Sequence, residues 1–139
     1  CKEWMENHMA NSKNKSLTVG FGFDQSPPKA NTSWWTKFLG VDTAVYFGIE
    51  KWAKDYNAAV VYGAVKRVGR GRYSVEFRLV QEHVLDSEKG EVVDRCLGEL
   101  EREIRDAPSD WLWSHKRWKH QMPEGIQLQK RMFERTLES

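Results

Sequence analysis

The sequence predicts an α/β fold in which a mixed β-sheet is flanked by helices. Residues 17–23 alternate along the chain in the way that is typical of a strand. Residues 58–65 are apolar on both parities, as expected for a strand covered on both faces. Residues 88–106 repeat apolar side chains at helical spacing before Pro108. Strands and helices that alternate along a chain of 139 residues indicate a single α/β domain.

Composition and charge exclude several classes of protein. The 22 Lys and Arg residues against 20 Asp and Glu residues give a net charge of +2, which does not require a nucleic-acid partner. No apolar run approaches the roughly 18–20 residues of a membrane span. The 2 cysteines form no CxxC pattern and the 4 histidines do not cluster, so we predict no metal site and no cofactor. Cys96 is predicted to be a buried thiol in a reducing compartment.

The N-terminal part is predicted to contain a helix and a strand. Residues 2–10 follow a helical pattern, which the polar residues 11–16 end. The strand over 17–23 places its apolar side chains on one face. Gly20 and Gly22 lie on the other face, where their missing side chains allow another backbone or a ligand to approach closely.

The next elements are predicted to be a short strand and a helix. Residues 34–39 form the strand. Asp42 or Thr43 is a suitable N-cap, and apolar side chains follow at helical spacing until Asn57 marks the exit. We therefore expect the helix to begin close to residue 43.

Residues 58–65 and 73–79 are predicted to form strands on either side of a hairpin turn at Gly69-Arg70-Gly71. The strand after the turn alternates polar and apolar residues, so one of its faces is expected to be buried and the other exposed. The residues predicted for the apolar face are Tyr73, Val75, Phe77 and Leu79.

The helix over 88–106 is predicted to bury an apolar stripe and to end before Pro108. Its opposite face is acidic and is interpreted as a solvated exterior. The acidic residues are Glu91, Asp94, Glu99, Glu101 and Glu103. A further helical turn is predicted through Trp111 and Trp113, and a tail over 120–139 is expected to be either helical or mobile, with Ile126, Phe133 and Leu137 at loose helical spacing.

Asp24 and Gln25 are the first candidate site residues. They follow the strand over 17–23, at the position where open α/β sheets place their ligand crevices. A carboxylate there is able to orient a basic group or accept hydrogen bonds from a polar substrate. The alternative is that Asp24 stabilises its own loop as an Asx turn.

The hairpin tip is the second candidate, because four cations lie there with no intervening acid. They are Lys66, Arg67, Arg70 and Arg72. Such a cluster suits phosphate groups or an acidic protein surface. The alternative is a hairpin tip that its charges keep soluble.

Residues 111–120 are the third candidate, since tryptophans are interleaved there with His, Lys and Arg. This composition suits stacking on nucleic acid, contact with a membrane interface, or closure of the core. The composition does not separate these three interpretations. The sequence has no GxSxG elbow, no GxxxxGK[ST] loop and no GxGxxG after a strand, so its motifs alone supply no complete catalytic apparatus.

Several motifs, taken in their order along the chain, resemble the bacterial lipid A biosynthesis acyltransferases. The motifs are Asp24-Gln25-Ser26-Pro27, Phe38-Leu39-Gly40, Asp42-Thr43-Ala44, and Ala58-Ala59-Val60-Val61 with Arg67 beyond it. The stretch Trp113-Ser114-His115-Lys116-Arg117-Trp118-Lys119 resembles the closing signature of that family, usually W-x-H-x-R-W/F-K. The resemblance covers about 17–119, and where the family pattern has two aromatic residues before glycine this chain has Phe38-Leu39.

The resemblance implies an enzyme of the bacterial inner membrane, acting at its cytoplasmic face. Members transfer a fatty acyl chain from acyl carrier protein to a hydroxyl of a lipid A precursor or a related glycolipid. A His-x4-Asp or His-x4-Glu pair supplies the general base. In this sequence only His83 and Glu88 have that spacing, and they come too late in the family order.

We therefore expect this chain to be the C-terminal portion of a glycerolipid or lipid A acyltransferase-like domain. The pair would lie upstream of residue 1, residues 1–119 would belong to the α/β domain, and 120–139 would be a tail. The chain alone, without the pair and a membrane anchor, is expected to be soluble and inactive.

The resemblance also implies roles for individual residues. Asp24 and Gln25 correspond to pocket-lining residues, and Arg67 to a cation that contacts the substrate. Contact with phosphate, carrier protein or the membrane surface is expected for Lys66, Arg70, Arg72, His115, Lys116, Arg117 and Lys119. Structural closure is the other interpretation of the 113–119 signature. We expect no nucleic-acid partner, although a nucleic-acid-binding module using 111–120 and a non-catalytic interaction domain are the rival hypotheses.

Overall fold

The computed structural model describes residues 2–11 and 16–133. Its helices are α1 (Lys2–Asn11), α2 (Gly48–Asp55) and α3 (Glu91–Asp106), and its strands are β1 (Trp34–Phe38), β2 (Val41–Val45), β3 (Val60–Gly69) and β4 (Arg72–Gln81). The α/β class is confirmed. The described strands form two antiparallel pairs, β1 with β2 and β3 with β4, where the sequence predicted one mixed sheet.

The first hairpin replaces the predicted start of the middle helix. The strand predicted over 34–39 is confirmed as β1, but Asp42 and Thr43 lie in β2, so the prediction that one of them caps a helix is wrong. Leu39 and Gly40 adopt positive φ angles of 50° and 80°, as a tight hairpin turn requires. This turn folds β2 back onto β1, and α2 begins only at Gly48.

Residues 17–23 pair with no described strand, so the predicted strand is wrong. Their alternation survives in part. Phe23 is buried and Phe21 half-buried, whereas Val19 is exposed. Alternation of apolar and polar side chains makes a segment suitable for a sheet. A strand forms only where the backbone of a neighbouring strand pairs with it through hydrogen bonds.

The second hairpin confirms the predicted turn at Gly69-Arg70-Gly71. The predicted burial of its apolar residues is wrong, because Tyr73, Val75, Phe77 and Leu79 are all exposed. Val61 and Val65 on β3 are exposed as well, so β3 is covered on one face only.

Helix α3 confirms the helix predicted over 88–106 and contributes more of the core than any other described element. Its start is built around Glu50, which is 1% exposed and accepts hydrogen bonds from the backbone N–H groups of Gly90 (2.8 Å) and Val93 (3.4 Å). A carboxylate is stabilised at a helix N-terminus by the unpaired N–H groups there. Gly90 has a φ of 91°, and a Cβ at this position would lie 2.4 Å from the Trp34 ring, so only glycine fits.

The acidic face of α3 is not the solvated exterior that we predicted. Glu99 pairs with Arg78 of β4 at 3.0 Å, and Glu101 accepts a hydrogen bond from the Leu39 backbone N–H at 2.8 Å. Glu103 accepts from the hydroxyl of Tyr62 on β3. These carboxylates join α3 to both hairpins. The face of the β3–β4 hairpin that carries Tyr62 and Arg78 is attached to α3 through these polar pairs.

The tail contains no helix within its described residues 120–133. It runs beside β1, where the Gln129 backbone N–H donates to the Trp35 carbonyl at 2.8 Å and the Thr36 hydroxyl donates to the Gln129 carbonyl at 2.9 Å. Arg131 then enters the protein and pairs with Asp94. Leu137, predicted to share a helical face, lies outside the described residues, and the helical turn predicted through Trp111 and Trp113 is instead a 3-10 turn over Pro108–Asp110.

The raised pKa of the Cys96 thiol is expected to make the free energy of unfolding depend on pH in the alkaline range. The thiol is 2% exposed, and burial raises its pKa from 9.0 to about 12, with the Glu99 and Glu50 charges adding to the effect. Between these values the unfolded chain loses the proton while the folded chain keeps it. The free energy of unfolding should therefore fall by about 1.4 kcal/mol per pH unit as the pH rises from 9.

Urea unfolding at pH 8, 9, 10 and 11 measures this slope. The background should be Tyr62→Phe, because burial and the hydrogen bond to Glu103 raise the Tyr62 pKa as well. In that background Cys96→Ala should remove the contribution of the thiol. An unchanged slope in Cys96→Ala would contradict the assignment.

Candidate active-site crevice

A cavity of about 1080 Å³ opens between the 17–24 segment, α2, β3 and the C-terminal half of α3. Its wall is mainly apolar, with a few polar groups. The apolar lining includes Leu17, Phe21, Phe23, Ile49, Trp52, Val61, Leu100, Ile104 and Trp111. The polar lining includes Asp24, Tyr62 and Glu103. An apolar cavity with few polar groups is the usual form of a small-molecule site.

Asp24 lines this crevice and is half-buried. An Asx turn at Asp24 would use the Ser26 backbone N–H, but that group donates to Nε2 of His115 at 3.1 Å. The Asx-turn interpretation is therefore wrong for this loop. The Asp24 carboxylate is left available to the crevice, and its neighbour Gln25 is exposed.

Residues 115–120, here called the closing segment, hold the loop that follows Asp24. The Ser26 hydroxyl donates to the Arg117 carbonyl at 2.7 Å. A ring nitrogen of His120 lies 2.8 Å from the Pro27 carbonyl. The Trp118 indole N–H donates to the Thr43 hydroxyl at 2.8 Å, which ties the same segment to β2. The closing segment therefore fixes the Asp24 loop against the first hairpin.

Arg117 is the most buried cation of the closing segment, with 2% of its surface exposed. It donates from Nη1 to the Ala44 carbonyl at 2.8 Å and lies over the Phe38 ring at 5.6 Å. Its Nε and Nη2 atoms are buried without a hydrogen-bond partner. Burial lowers its pKa to about 10, and the charge of Asp24 acts in the opposite direction. Arg117 thus holds a positive charge under the Asp24 loop.

The other predicted cations lie elsewhere. Lys116 and Lys119 are exposed on the closing segment. Lys66, Arg67, Arg70 and Arg72 are exposed at the tip of the second hairpin, and among the described residues none of these four forms an ion pair. The structure therefore brings His115 and Arg117 close to the Asp24 loop and keeps the hairpin cations on a separate element.

The comparison with protein families identifies the family of this chain. The model of the bacterial lipid A biosynthesis acyltransferases matches residues 8–120, which is most of the chain. The chain belongs to this family. It has no match among curated proteins or among solved structures. The match includes the crevice, both hairpins, α3 and the closing segment, and it confirms the resemblance that the motifs indicated.

Two polar residues of the acyltransferase crevice were not identified from the sequence. The Tyr62 hydroxyl donates to Oε2 of Glu103 at 2.5 Å, while Oε1 of Glu103 accepts from the Val65 backbone N–H at 2.9 Å. The available signal was a tyrosine inside the apolar run over 58–65 and a glutamate beside the apolar stripe of α3. The two residues are 41 positions apart, so spacing does not predict their contact.

His83 and Glu88, the only pair with the family's dyad spacing in this chain, do not form one here. Both are exposed. The described hydrogen bonds of His83 use its carbonyl oxygen, and those of Glu88 use its backbone atoms. Within the described residues, no group of three or more His, Cys, Asp or Glu side chains is arranged to hold a metal ion. None of the helices in residues 2–11 and 16–133 has both the length and the apolar character to cross a bilayer.

Arg117→Met is expected to leave stability nearly unchanged and to impair acyl transfer by the full-length enzyme. The substitution removes a buried charge with two unpaired donors, and replacing such a charge with an apolar side chain of similar size is often neutral or stabilising. It also removes the charge that faces Asp24. We expect the free energy of unfolding to change by less than about 1 kcal/mol and kcat/KM to fall by about tenfold.

Urea unfolding and a transfer assay measure the two effects of Arg117→Met separately. The matched control is Lys51→Met, because Lys51 is an exposed cation of α2 to which no role in the site is assigned. A large loss of stability in Arg117→Met would show that the hydrogen bond to Ala44 dominates. Full activity would show that Asp24 does not depend on Arg117.

Proposed function

We propose that this chain forms the substrate crevice of an enzyme that transfers a fatty acyl chain from acyl carrier protein to a hydroxyl of a lipid A precursor or related glycolipid. The enzyme would act at the cytoplasmic face of the bacterial inner membrane. The observation that carries the proposal is the position of Asp24 on an apolar crevice of about 1080 Å³, within a region that matches the family. That volume is slightly above the usual range for ligand sites, about 300–1,000 Å³, so it leaves room for a long acyl chain.

The wall of the crevice supports a lipid substrate. Its apolar side chains favour an acyl chain, because burying each methylene group contributes about 0.8 kcal/mol. Asp24 lies where a polar head group would meet this wall, and its carboxylate is able to accept a hydrogen bond from an acceptor hydroxyl. Tyr62 and Glu103 add a second polar point on the same wall.

The reaction requires a general base, which we propose is a His-x4-Asp or His-x4-Glu pair outside this chain. The imidazole takes the proton of the acceptor hydroxyl, and the oxygen attacks the thioester carbonyl carbon. The tetrahedral intermediate then collapses, the C–S bond breaks, and the proton passes to the sulfur of the carrier thiol. In this scheme Asp24 orients the acceptor, and Gln25 and Arg67 contact polar groups of the substrate.

The exposed cations suit the anionic parts of both substrates. Lys116 and Lys119 project from the closing segment next to the Asp24 loop. We propose that they contact substrate phosphates or acidic residues of the carrier protein, since both are recognised by exposed cations. The inward contacts of His115 and Arg117 support a structural role for these two residues within the same signature.

A transfer assay with the full-length protein tests the proposal. The protein is incubated with acyl carrier protein loaded with a fatty acid and with a lipid A precursor, and the mass of the product is measured by mass spectrometry. The expected product is heavier by one acyl group, and the acyl-coenzyme A control should react more slowly. Absence of transfer, together with a gene that encodes no His-x4-Asp or His-x4-Glu before this region, would overturn the proposal.

A further inference from the structure

One stripe of helix α3 faces the crevice, and Glu103 is its charged member. The α3 residues that line the crevice are Cys96, Leu100, Glu103, Ile104 and Ala107. Cys96, Leu100, Glu103 and Ala107 recur at spacings of three or four residues, which places them on one side of the helix. With a rise of about 1.5 Å per residue, the stripe is about 16 Å long. Because Leu100 precedes Glu103 and Ala107 follows it, the apolar wall continues beyond the carboxylate in both directions.

Strand β3 supplies the hydrogen-bond donors for this carboxylate. The Tyr62 hydroxyl donates to Oε2 of Glu103 at 2.5 Å, and the Val65 backbone N–H donates to Oε1 at 2.9 Å. Tyr62 and Glu103, here called the polar pair, are both half-buried by the described residues alone. Val61 and Val65 line the crevice on either side of Tyr62. The polar pair therefore interrupts the apolar wall part-way along its length.

The polar pair is able to accept further hydrogen bonds but has no proton to donate to a ligand. A carboxylate offers about four lone-pair positions, and the two contacts from β3 leave some of them free. Tyr62 keeps its proton, since burial and the hydrogen bond to Glu103 raise its pKa, and this proton points to Glu103. The neighbouring acids Glu99 and Glu101 pair with arginines, whereas no ion pair among the described residues includes Glu103. A ligand that covers the polar pair must therefore bring a donor.

An unsubstituted alkyl chain suits the apolar wall but does not suit the polar pair. Such a chain would remove water from the free acceptors without replacing its hydrogen bonds, and this is unfavourable. A chain with a hydroxyl at this depth would donate the missing hydrogen bond to a charged acceptor, which is a strong interaction. A site that hydrogen-bonds a substrate hydroxyl discriminates against the analogue without it more strongly than an apolar pocket discriminates against one methylene group.

We propose that the polar pair makes the crevice selective for an acyl chain that carries a hydroxyl group, over the unsubstituted chain of the same length. The inference rests on the proposed function, which places the donor's acyl chain on this wall. It adds the class of donor, a hydroxyacyl thioester of the carrier protein. The acceptor hydroxyl that reacts is a different group, which the proposed function places at Asp24. Tyr62 and Glu103 determine specificity and take no part in proton transfer.

A competition between donors tests the proposal. The full-length enzyme receives one acceptor and equal amounts of acyl carrier protein loaded with a plain chain and with a hydroxylated chain of the same length. The hydroxyl is placed in turn at the β-carbon, in the middle of the chain and near its methyl end. Mass spectrometry distinguishes the two products of one reaction, so their ratio gives the ratio of the kcat/KM values. At least one hydroxylated chain should be preferred by about tenfold or more.

Variants of the polar pair show whether it causes this preference. Tyr62→Phe/Glu103→Leu makes the wall apolar throughout and should bring the use of the two chains to within about twofold of each other. Glu103→Gln keeps the shape, removes the charge and should lower the preference by about threefold or more. The matched control is Glu99→Gln, one turn earlier on α3 and outside the crevice lining, which should keep the preference within about twofold. A product ratio from one reaction is independent of the fraction of a variant that folds.

The other outcomes contradict the proposal. Equal use of plain and hydroxylated chains by the original enzyme would show that the polar pair does not select the donor, and so would a preference that persists in Tyr62→Phe/Glu103→Leu. If short plain chains are preferred over every longer chain, the polar pair instead marks the end of the acyl site. Absence of transfer from every donor would overturn the proposed function and this inference with it. Transfer without any preference would overturn this inference alone.

Discussion

Asp24→Asn in the full-length acyltransferase is expected to lower kcat/KM by about 100-fold while the fold is retained. Asparagine has nearly the same shape but lacks the negative charge that the crevice wall presents to the acceptor. Losing one preorganised polar group of an active site typically costs about 10²–10³-fold in rate. The loop should stay in place, because its hydrogen bonds come from Ser26 to the closing segment and none of them uses the Asp24 side chain.

The control for Asp24→Asn is Asp86→Asn, which removes a carboxylate from an exposed 3-10 turn. Transfer rates at saturating and at low acceptor distinguish an effect on binding from an effect on turnover. Circular dichroism and urea unfolding verify that both variants fold. Turnover equal to that of the original enzyme would remove Asp24 from the site and leave it as a loop residue.

The second large effect is expected at the buried ion pair that anchors the tail. Asp94 is 5% exposed, pairs with the Arg131 guanidinium, and accepts hydrogen bonds from the backbone N–H groups of Met132 (2.8 Å) and Phe133 (2.7 Å). Arg131 also donates to the Lys37 carbonyl at 2.9 Å. Asp94→Ala removes one of the two carboxylates that pair with the buried guanidinium, leaving it only Glu101 at 3.2 Å, and leaves the two N–H groups without their acceptor. Breaking a buried pair in this way costs about 3–5 kcal/mol.

Urea unfolding of Asp94→Ala, Arg131→Met and the double variant measures this pair as a double-mutant cycle. The double variant should be more stable than the sum of the single losses predicts, since it removes both charges of the Asp94–Arg131 pair together. The control is Asp42→Asn, which breaks the Lys37–Asp42 pair at the surface, where both side chains are more than 40% exposed. Its loss should stay below about 1 kcal/mol. If the loss of stability in Asp94→Ala also stays below about 1 kcal/mol, the anchored tail contributes little to stability.

Local patterns predicted the elements that depend on a single stretch of sequence. The helix α3 was identified from its apolar stripe and from Pro108. The turn of the second hairpin was identified from Gly69-Arg70-Gly71. In both cases the signal lies within about 20 residues, which is the range over which periodicity and turn chemistry act.

The start of the middle helix shows where local patterns are insufficient. Asp42 and Thr43 are good N-caps, but they lie in β2 because Leu39 and Gly40 turn the chain back onto β1. A leucine with a positive φ is unfavourable in isolation. It is held here by the hydrogen bond from its backbone N–H to Glu101, a residue 62 positions away. The distant contact overrides the local capping preference.

The candidate site was predicted in its parts but not in its arrangement. The sequence by itself determined the α/β class and the family, because each depends on motifs and periodicity along the chain, and it made Asp24 and the 113–119 signature candidates. Only the tertiary structure decided that the closing segment turns inward to hold Ser26, 89 positions from His115. It alone decided that the apolar side of β4 faces outward. Alternation defines the two faces of a strand, but the distant partners of Tyr62 and Arg78 on α3 select which face is buried.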